Sequence, residues 1–379
     1  MLIEENKLLA PFTTFGIGGP ARWFVEAASE EEIAEAAAWA RERGVALFVL
    51  GGGSNVLVSD AGFDGLVLRV GLRGITASPV ADKDDSPNLI PEEHTSGAKA
   101  PIDIGGMDVR AKALTYQAAA GEDWEHFVQR AVGDCCAGIE CLAGIPGTVG
   151  GTPVQNVGAY GQEVASAIER VRAFDLKERS FVEFAAAECG FAYRRSRFNS
   201  EDRGRYIVTR VDYRLTPRGA PTLRYAELQR AFAEGVQPSL AEVAAKVCRI
   251  RQAKGMLIVE GDPDCRSAGS FFKNPVVTGE QFRRIAAAGG KAPPRFPAGA
   301  GAENSGQVKV PAAWLIEQAG FAKGYALGAA AISSRHTLAL VNLGGARAAE
   351  ILALAGQITA AVERRFDIRL EMEPVRMGF

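Results

Sequence analysis

The sequence predicts an α/β chain of three regions, and three observations carry that reading. Short apolar runs of strand type alternate with capped, amphipathic stretches between residues 29 and 365. Two glycine-rich loops, Gly51–Asn55 and Gly144–Pro153, interrupt the alternation in two different units. A new capped helix opens near Ser239, just after Gln237-Pro238. The expected division is 1–72, then 73–236 with an exposed excursion over 79–101, then 237–366, with 367–379 as a separate C-terminal segment.

The elements follow in order. Ser29-Glu30-Glu31-Glu32 reads as a capping box before Ile33, Ala36, Ala37 and Ala40, with Gly44 at the expected stop. Val45–Leu50 and Gly65–Val70 read as buried strands. Between Pro79 and Pro101 the chain carries charge, proline and small residues with little to bury, which predicts the excursion. Leu114–Ala119 resumes a strand, Asp123 caps a helix through Val132, and 168–176 and 206–215 read as strands. Ser239 and Glu242 form a second capping box, followed by Val243, Val247 and Ile250 at helical spacing. Residues 289–306 are a loose Gly, Ala and Pro stretch; 312–316 restarts a helix, 337–341 is a strand and 347–365 a long helix.

Composition narrows the function. A net charge of −2 over 379 residues leaves no electrostatic footprint for nucleic acid or an anionic membrane. No apolar run approaches the roughly 18 residues of a membrane span, and the N-terminus lacks the pattern of a signal peptide. The expectation is a cytoplasmic protein. The six cysteines form no C-x-x-C pair, and the three histidines, His94, His126 and His336, are scattered, so reduced thiols and no metal site are expected.

Gly16-Ile17-Gly18-Gly19-Pro20-Ala21 fits the dinucleotide pattern G-x-G-x-x-[GA], but no apolar strand precedes it and an extended segment follows, so it is set aside. Gly51-Gly52-Gly53-Ser54-Asn55-Val56 is different. It follows a buried strand, and its glycines allow positive φ and close backbone approach to an anion. Ile145-Pro146-Gly147-Thr148, Gly150-Gly151 and Asn156-Val157-Gly158-Ala159-Tyr160 supply a second loop of the same chemistry. Neither is a Walker A loop, since no G-K-[ST] follows. A large nucleotide held in extended form between two units is the inference, its identity left open. Gly269-Ser270-Phe271-Phe272-Lys273-Asn274-Pro275 brings together a hydroxyl, a cation and an amide, or is an ordinary turn. Tyr193-Arg194-Arg195-Ser196-Arg197-Phe198 is a basic anion-binding turn or a solvated face. Glu371 and Glu373 fall on one side of a possible C-terminal strand.

Together these segments resemble the UDP-N-acetylenolpyruvoylglucosamine reductase (MurB) family, nearly end to end, from Thr13-Thr14-Phe15-Gly16-Ile17-Gly18-Gly19 to Glu373. The resemblance implies an α/β (α+β) architecture: a two-subdomain FAD-binding fold of the vanillyl-alcohol-oxidase-like type plus a C-terminal α/β substrate-binding domain. The implied reaction is reduction of UDP-N-acetylglucosamine enolpyruvate to UDP-N-acetylmuramate in peptidoglycan precursor synthesis, with NADPH as hydride donor and bound FAD as carrier. By resemblance, Ser270 protonates the α carbon, Arg194 holds the substrate carboxylate and enolate, and Glu373 sits near the enol oxygen. Glu371 is the fallback for Glu373, because the tail reads Glu-Pro-Val-Arg where relatives read Glu-Val-Arg or Glu-Val-Lys.

The two glycine loops are the implied FAD contacts. Tyr160, Tyr193, Tyr225, Lys254, Asn274 and His336 are the implied substrate contacts, and a monomer with the closing loop of the longer subtype is expected. Phe296 stands where longer-subtype relatives can have a substrate-stacking tyrosine. Two alternatives accompany this reading: a sugar or alcohol oxidase of the same flavin fold, and a flavin- or UDP-sugar-binding protein without catalysis. Oxidases of that fold often carry FAD on a histidine near the first glycine loop, and Gly51–Leu57 has none.

Overall fold

The computed structural model describes residues 1–79, 113–233, 235–297 and 306–379. In the first unit the strands lie in the order Glu4–Leu8, Pro20–Ala27, Phe63–Val70, Ala46–Leu50, the last three parallel. Helix Glu30–Glu42 covers this sheet with Ile33, Ala36, Ala37 and Ala40, the apolar positions of its sequence pattern. Ser29 accepts from the Glu32 amide at 3.3 Å. The reciprocal arm departs from the expected box, because the Glu32 carboxylate accepts from Ala28 at 2.8 Å. The G-x-G-x-x-A segment leads into strand Pro20–Ala27 rather than a helix, as its extended character required.

The second unit is antiparallel throughout its main path: Ser180–Ala185, Ile168–Asp175, Tyr206–Pro217, Leu114–Ala119, Ile75–Pro79. Helix Trp124–Gly133, capped by the Asp123 carboxylate on the His126 amide, packs an aromatic cluster of Trp124, Phe127, Tyr116 and Tyr213 against the sheet. Each of these four side chains is at most 1% exposed, and burying one contributes roughly 1.5–3 kcal/mol. Pro79 pairs with Leu114, so the excursion leaves and rejoins one hairpin. From residue 80 on, the excursion itself lies outside the described residues.

Helix Leu240–Ala253 has both arms of its capping box. It does not open the third core as expected. Val243 and Val247 pack against Cys141 and Leu228, and Leu240 and Ala244 join the core of the first two units. The apolar face that its spacing announced has its nearest partner in the preceding unit. The third core instead gathers Phe271, Phe272, Leu315, Ile316, Ile351, Leu354 and Ile358, around helix Ala348–Phe366 and the antiparallel strands Ala326–Leu327, Ala330–Ile332 and Leu340–Asn342. The strand expected at 337–341 starts only at Leu340, because the Ala339 amide turns back onto the His336 carbonyl at 3.0 Å.

The units are tied across their borders. Asp60, from the first unit, accepts from the Ala348 and Ala349 amides and caps the long helix, where a carboxylate complements the helix dipole. Strand Val375–Met377 pairs in parallel with Val56–Val58, directly after the first glycine loop. The residues just before it bridge to the third unit: Phe272 pairs with Met372, and the Glu373 amide donates to the Phe271 carbonyl at 2.9 Å. The C-terminal segment thus lies across the first and third units at once. Among the described residues no helix is long and apolar enough to cross a membrane.

Candidate active site

The two glycine loops meet each other, and their glycines are required by that contact. A Cβ on Gly52 would stand 2.6 Å from Gly147 Cα, and one on Gly51 would stand 2.9 Å from Thr148 Oγ1. Gly53, at φ +64°, has no room for a Cβ beside the Phe12 carbonyl, and Gly147, at φ +137°, faces Ser54 Oγ. Gly150 packs on Ala120, whereas Gly151 opens onto free space. Backbone without side chains at the junction of two units is the cradle a dinucleotide diphosphate needs, so the residues present fit FAD. Val56 is buried in its strand, Ile145 and Pro146 are half-buried leading into the junction, and Ala159 pairs with Gln162.

The Asn156 side chain is held by protein groups. Its side chain donates to Glu163 and to the Ala192 carbonyl and accepts from the Ala165 amide. Its side-chain amide thereby ties the loop to the turn carrying Tyr193 and Arg194. Asn55 donates to Gln155 and reaches the Glu373 carbonyl at 3.4 Å, so the end of the first glycine loop touches the C-terminal strap.

Ser270, Arg194 and Glu373 come from three distant segments. The Phe271–Glu373 hydrogen bond sets the backbones of Ser270 and Glu373 side by side. Ser270 is half-buried, and its hydroxyl has no hydrogen-bond partner among the described residues. Arg194 sits at φ +54° at the tip of a turn closed by the Ala192–Arg195 bridge. Its Nη2 donates to the Gly158 carbonyl at 3.0 Å, and its Nε lies 3.0 Å from Glu373 Oε1. That Nε is buried without an aligned acceptor, so the contact is electrostatic attraction rather than a formed hydrogen bond. Burial raises the Glu373 carboxyl above the ordinary range, and Arg194 and then Lys273 only partly oppose it.

The expected shared side for the two C-terminal carboxylates fails. Glu371 points to solvent beside Lys273, its side chain 75% exposed, while that of Glu373 is 11% exposed. The pairing here is a single bridge followed by Pro374, too short to hold a pleat. Glu373 is therefore the carboxylate in the site. The basic run also splits, with Arg195 paired to Glu201 at the surface and Arg197 paired to Asp202 in a half-buried position.

A second cluster forms at the other end of helix Leu240–Ala253. Tyr160 and Tyr225 meet edge to face at 5.6 Å, and Lys254 Nζ stands 5.8 Å from the Tyr160 ring while pairing with Glu227 at 2.5 Å. Burial pushes the Tyr160 hydroxyl up to about 12. His336 Nδ1 accepts from the Leu338 amide, and burial, with nearby Lys254 and Lys323, pushes its pKa down to about 4. It is neutral at physiological pH. Asn274 Oδ1 accepts from the Ala312 amide, which orients its NH2 group, and Asn274 lies against Tyr193.

Two cations were not among the expected site residues. Lys309 Nζ lies 4.1 Å from the centre of the Tyr193 ring, and burial together with Arg194 lowers its pKa. It makes no ion pair among the described residues. A lone lysine inside the apolar Val308-Lys309-Val310 run was the available signal. Arg251 is 7% exposed and donates to the carbonyls of Gly144 and Met256, holding the start of the second glycine loop. Its position one helical turn before Lys254 was visible, but its inward direction was not. Among the described residues no cluster of metal-ligating side chains exists, and Phe296 is 46% exposed on a short strand paired to Lys309.

A two-unit cradle joined to a buried acid, a guanidinium and a free hydroxyl defines the class, a flavin-dependent oxidoreductase fold. The FAD binding domain model matches residues 21–83 and 102–178, and the model of the UDP-N-acetylenolpyruvoylglucosamine reductase C-terminal domain matches 262–377. The UDP-N-acetylenolpyruvoylglucosamine reductase of Thermobifida fusca is 41% identical over 99% of this chain and 98% of its own. That of Bordetella pertussis is 40% identical over 99% and 95%. The crystal structure of the enzyme of that name (MurB) from Thermus caldophilus superposes with a TM-score of 0.61 at 27% identity, covering 100% of both chains. The chain belongs to the UDP-N-acetylenolpyruvoylglucosamine reductase family.

Proposed function

We propose that this protein reduces UDP-N-acetylglucosamine enolpyruvate to UDP-N-acetylmuramate, with NADPH as donor, as a cytoplasmic monomer supplying peptidoglycan precursors. FAD, when bound, supplies hydride transfer to the vinyl carbon. Gly51, Gly52, Gly53 and Gly147 hold the diphosphate with bare backbone. Arg194 and Lys309 together make a cationic wall for the substrate carboxylate and for the negative charge that develops beside it. Ser270, its hydroxyl free of protein partners, delivers the proton to the α carbon. Burial raises the Glu373 pKa and so favours its protonated form, which can donate toward the enolate oxygen, and the C-terminal strap holds it there. Tyr225, Lys254 and His336 form the diphosphate end, with Tyr160 as its floor and Asn274 and Tyr193 between the two ends. In this reading the substrate unit begins after helix Leu240–Ala253.

The observation that carries the proposal is the convergence of Ser270, Arg194 and Glu373 at the end of the first glycine loop. The test is anaerobic mixing of the purified protein with NADPH and the enolpyruvyl UDP-sugar, followed at the nicotinamide absorbance band. Oxidation that depends on the UDP-sugar is expected. NADPH oxidation that stops once the flavin is reduced, with no further oxidation when the UDP-sugar is added, would reject the substrate.

A further inference from the structure

The first and second units are clamped together at one end of helix Glu30–Glu42 and part at the other. At the N-terminal end, Glu30 accepts two hydrogen bonds of 2.9 Å from Arg172 and one of 2.6 Å from Thr209. Toward the C-terminal end a cavity of about 350 Å³ opens between the units, within the size range of small-ligand sites. Ala37 and Ala38 of the helix, Leu47 of the following strand, and Phe174 and Leu176 of the second unit line it. Apolar walls facing a gap of this size forfeit dispersion contacts that an apolar guest would restore. The rim is cationic. Arg41 and Arg179 border the cavity, both are exposed, and neither side chain makes an ion pair or hydrogen bond among the described residues. Nearby arginines are neutralised, Arg172 by Glu30 and Arg205 by Asp175.

The backbone of Arg179 is held in place. It sits at φ +57°, its amide donates to the Asp175 carbonyl at 2.7 Å, and the Lys177 amide donates to the Asp175 carboxylate at 2.8 Å. The helix C-terminus contributes about half a negative charge, against the two full positive charges of the guanidinium groups. We propose that this cavity binds a free aliphatic monocarboxylate of medium chain length. Its alkyl body lies between the alanine face and Phe174, and its carboxylate lies between Arg41 and Arg179. A guanidinium matches a carboxylate in shape and charge, and the apolar lining favours an anion with a body to bury over a small inorganic one. Leu47 precedes Gly51 by four residues, roughly 13 Å along an extended strand, so the site is separate from the cofactor cradle. A guest there braces the seam between the two units and stabilises the fold, because only the folded chain has the cavity.

The test titrates octanoate, beside the uncharged octanamide, into the full-length protein by isothermal calorimetry, with Tm read at each concentration. Wild type is expected to bind octanoate saturably, roughly tenfold more tightly than octanamide, with a rising Tm. Arg41→Gln and Arg179→Asn are each expected to weaken octanoate about fivefold and to leave octanamide unchanged. Asn tolerates the left-handed backbone at position 179. Ala38→Leu fills the gap and is expected to abolish binding of both compounds. No saturable binding by wild type, equal affinity for acid and amide, or an affinity unchanged in all three variants overturns the proposal. Binding that the enolpyruvyl UDP-sugar displaces, and that the three variants leave intact, places octanoate in the substrate cluster and overturns it too. Arg41→Gln alters one exposed side chain, so it reports even where Ala38→Leu disturbs the packing of the helix.

Discussion

The cofactor cradle and the substrate cluster are built on opposite plans. The cradle is backbone: four glycines whose missing Cβ atoms let two loops from different units touch, with Gly52 against Gly147 and Gly53 under the Phe12 carbonyl. The proposed substrate cluster is side chain: Arg194, Lys309, Asn274, Ser270 and Glu373 come from four separate segments. A backbone site tolerates no added atom, and its penalties are steric. A side-chain site tolerates many substitutions structurally, and its penalties fall on charge and proton position. The two regions therefore respond differently to mutation, to pH and to the choice of ligand.

Ser270→Ala separates them most sharply. The cradle is untouched, so reduction of the flavin by NADPH proceeds at the wild-type rate. Reoxidation by the UDP-sugar slows by roughly 10²–10⁴-fold, the usual contribution of a positioned proton donor. Stopped-flow measurement of the two half-reactions checks this, and equal slowing of both removes Ser270 from the proton step. The pH counterpart lies in His336. Its folded pKa, about 4, is below the ordinary value of 6.5, so neutral His336 favours the fold above pH 6.5 and that stability is lost as pH falls toward 4. The loss reaches on the order of 3 kcal/mol. Asn at this position keeps an acceptor for the Leu338 amide and has no proton to gain. His336→Asn is expected to flatten the acid side of the Tm-against-pH curve, and an unchanged curve would assign acid sensitivity elsewhere.

On the cradle side, Gly53→Ala places a methyl group into the Phe12 carbonyl at a positive φ. The expected cost is on the order of 2–3 kcal/mol. It is read as a lower Tm and loss of bound flavin, with Ser270 chemistry unmeasurable for want of cofactor. Retention of flavin and Tm in Gly53→Ala would show that the loop can rearrange, and the contrast between the two regions would weaken.

The same contrast explains what the sequence disclosed. Three glycines after the strand ending at Leu50 announce a close backbone approach because composition alone forces it, and the loop lies where it was expected. Capped helices announce themselves too: Asp123 and Ser239 both hold the amides that their spacing predicted. Which core a helix joins is a different matter. The apolar stripe of Leu240–Ala253 was legible, yet its partners Cys141 and Leu228 are set by the path of the chain. That the Asn156 side chain would tie its loop to Glu163, Ala192 and Ala165 was not legible either, because those partners are set by the path of the chain. The choice between Glu371 and Glu373 rested on a two-residue offset that only the bridge to Phe271–Lys273 decides.

Lys309 is the finest probe of the side-chain plan, because the structure supplies its role and no motif does. It is a half-buried cation whose charge Arg194 disfavours and Glu163 favours, with its ammonium 4.1 Å from the centre of the Tyr193 ring. Two positive charges this close repel one another, and an anion arriving between them relieves the repulsion. Lys309→Met keeps most of the stem and removes the charge, so packing under Tyr193 survives and Tm holds or rises slightly. The KM for the UDP-sugar is expected to rise roughly tenfold, about 1.4 kcal/mol, with flavin reduction by NADPH unaltered. The pH profile sharpens the reading: a lysine with a lowered pKa loses its proton earlier on the alkaline side, so wild-type KM rises there and the Lys309→Met value stays flat. A KM that is the same in both proteins across the whole pH range would leave Arg194 as the sole anchor of the substrate carboxylate, and Lys309 as a packing residue that happens to carry a charge.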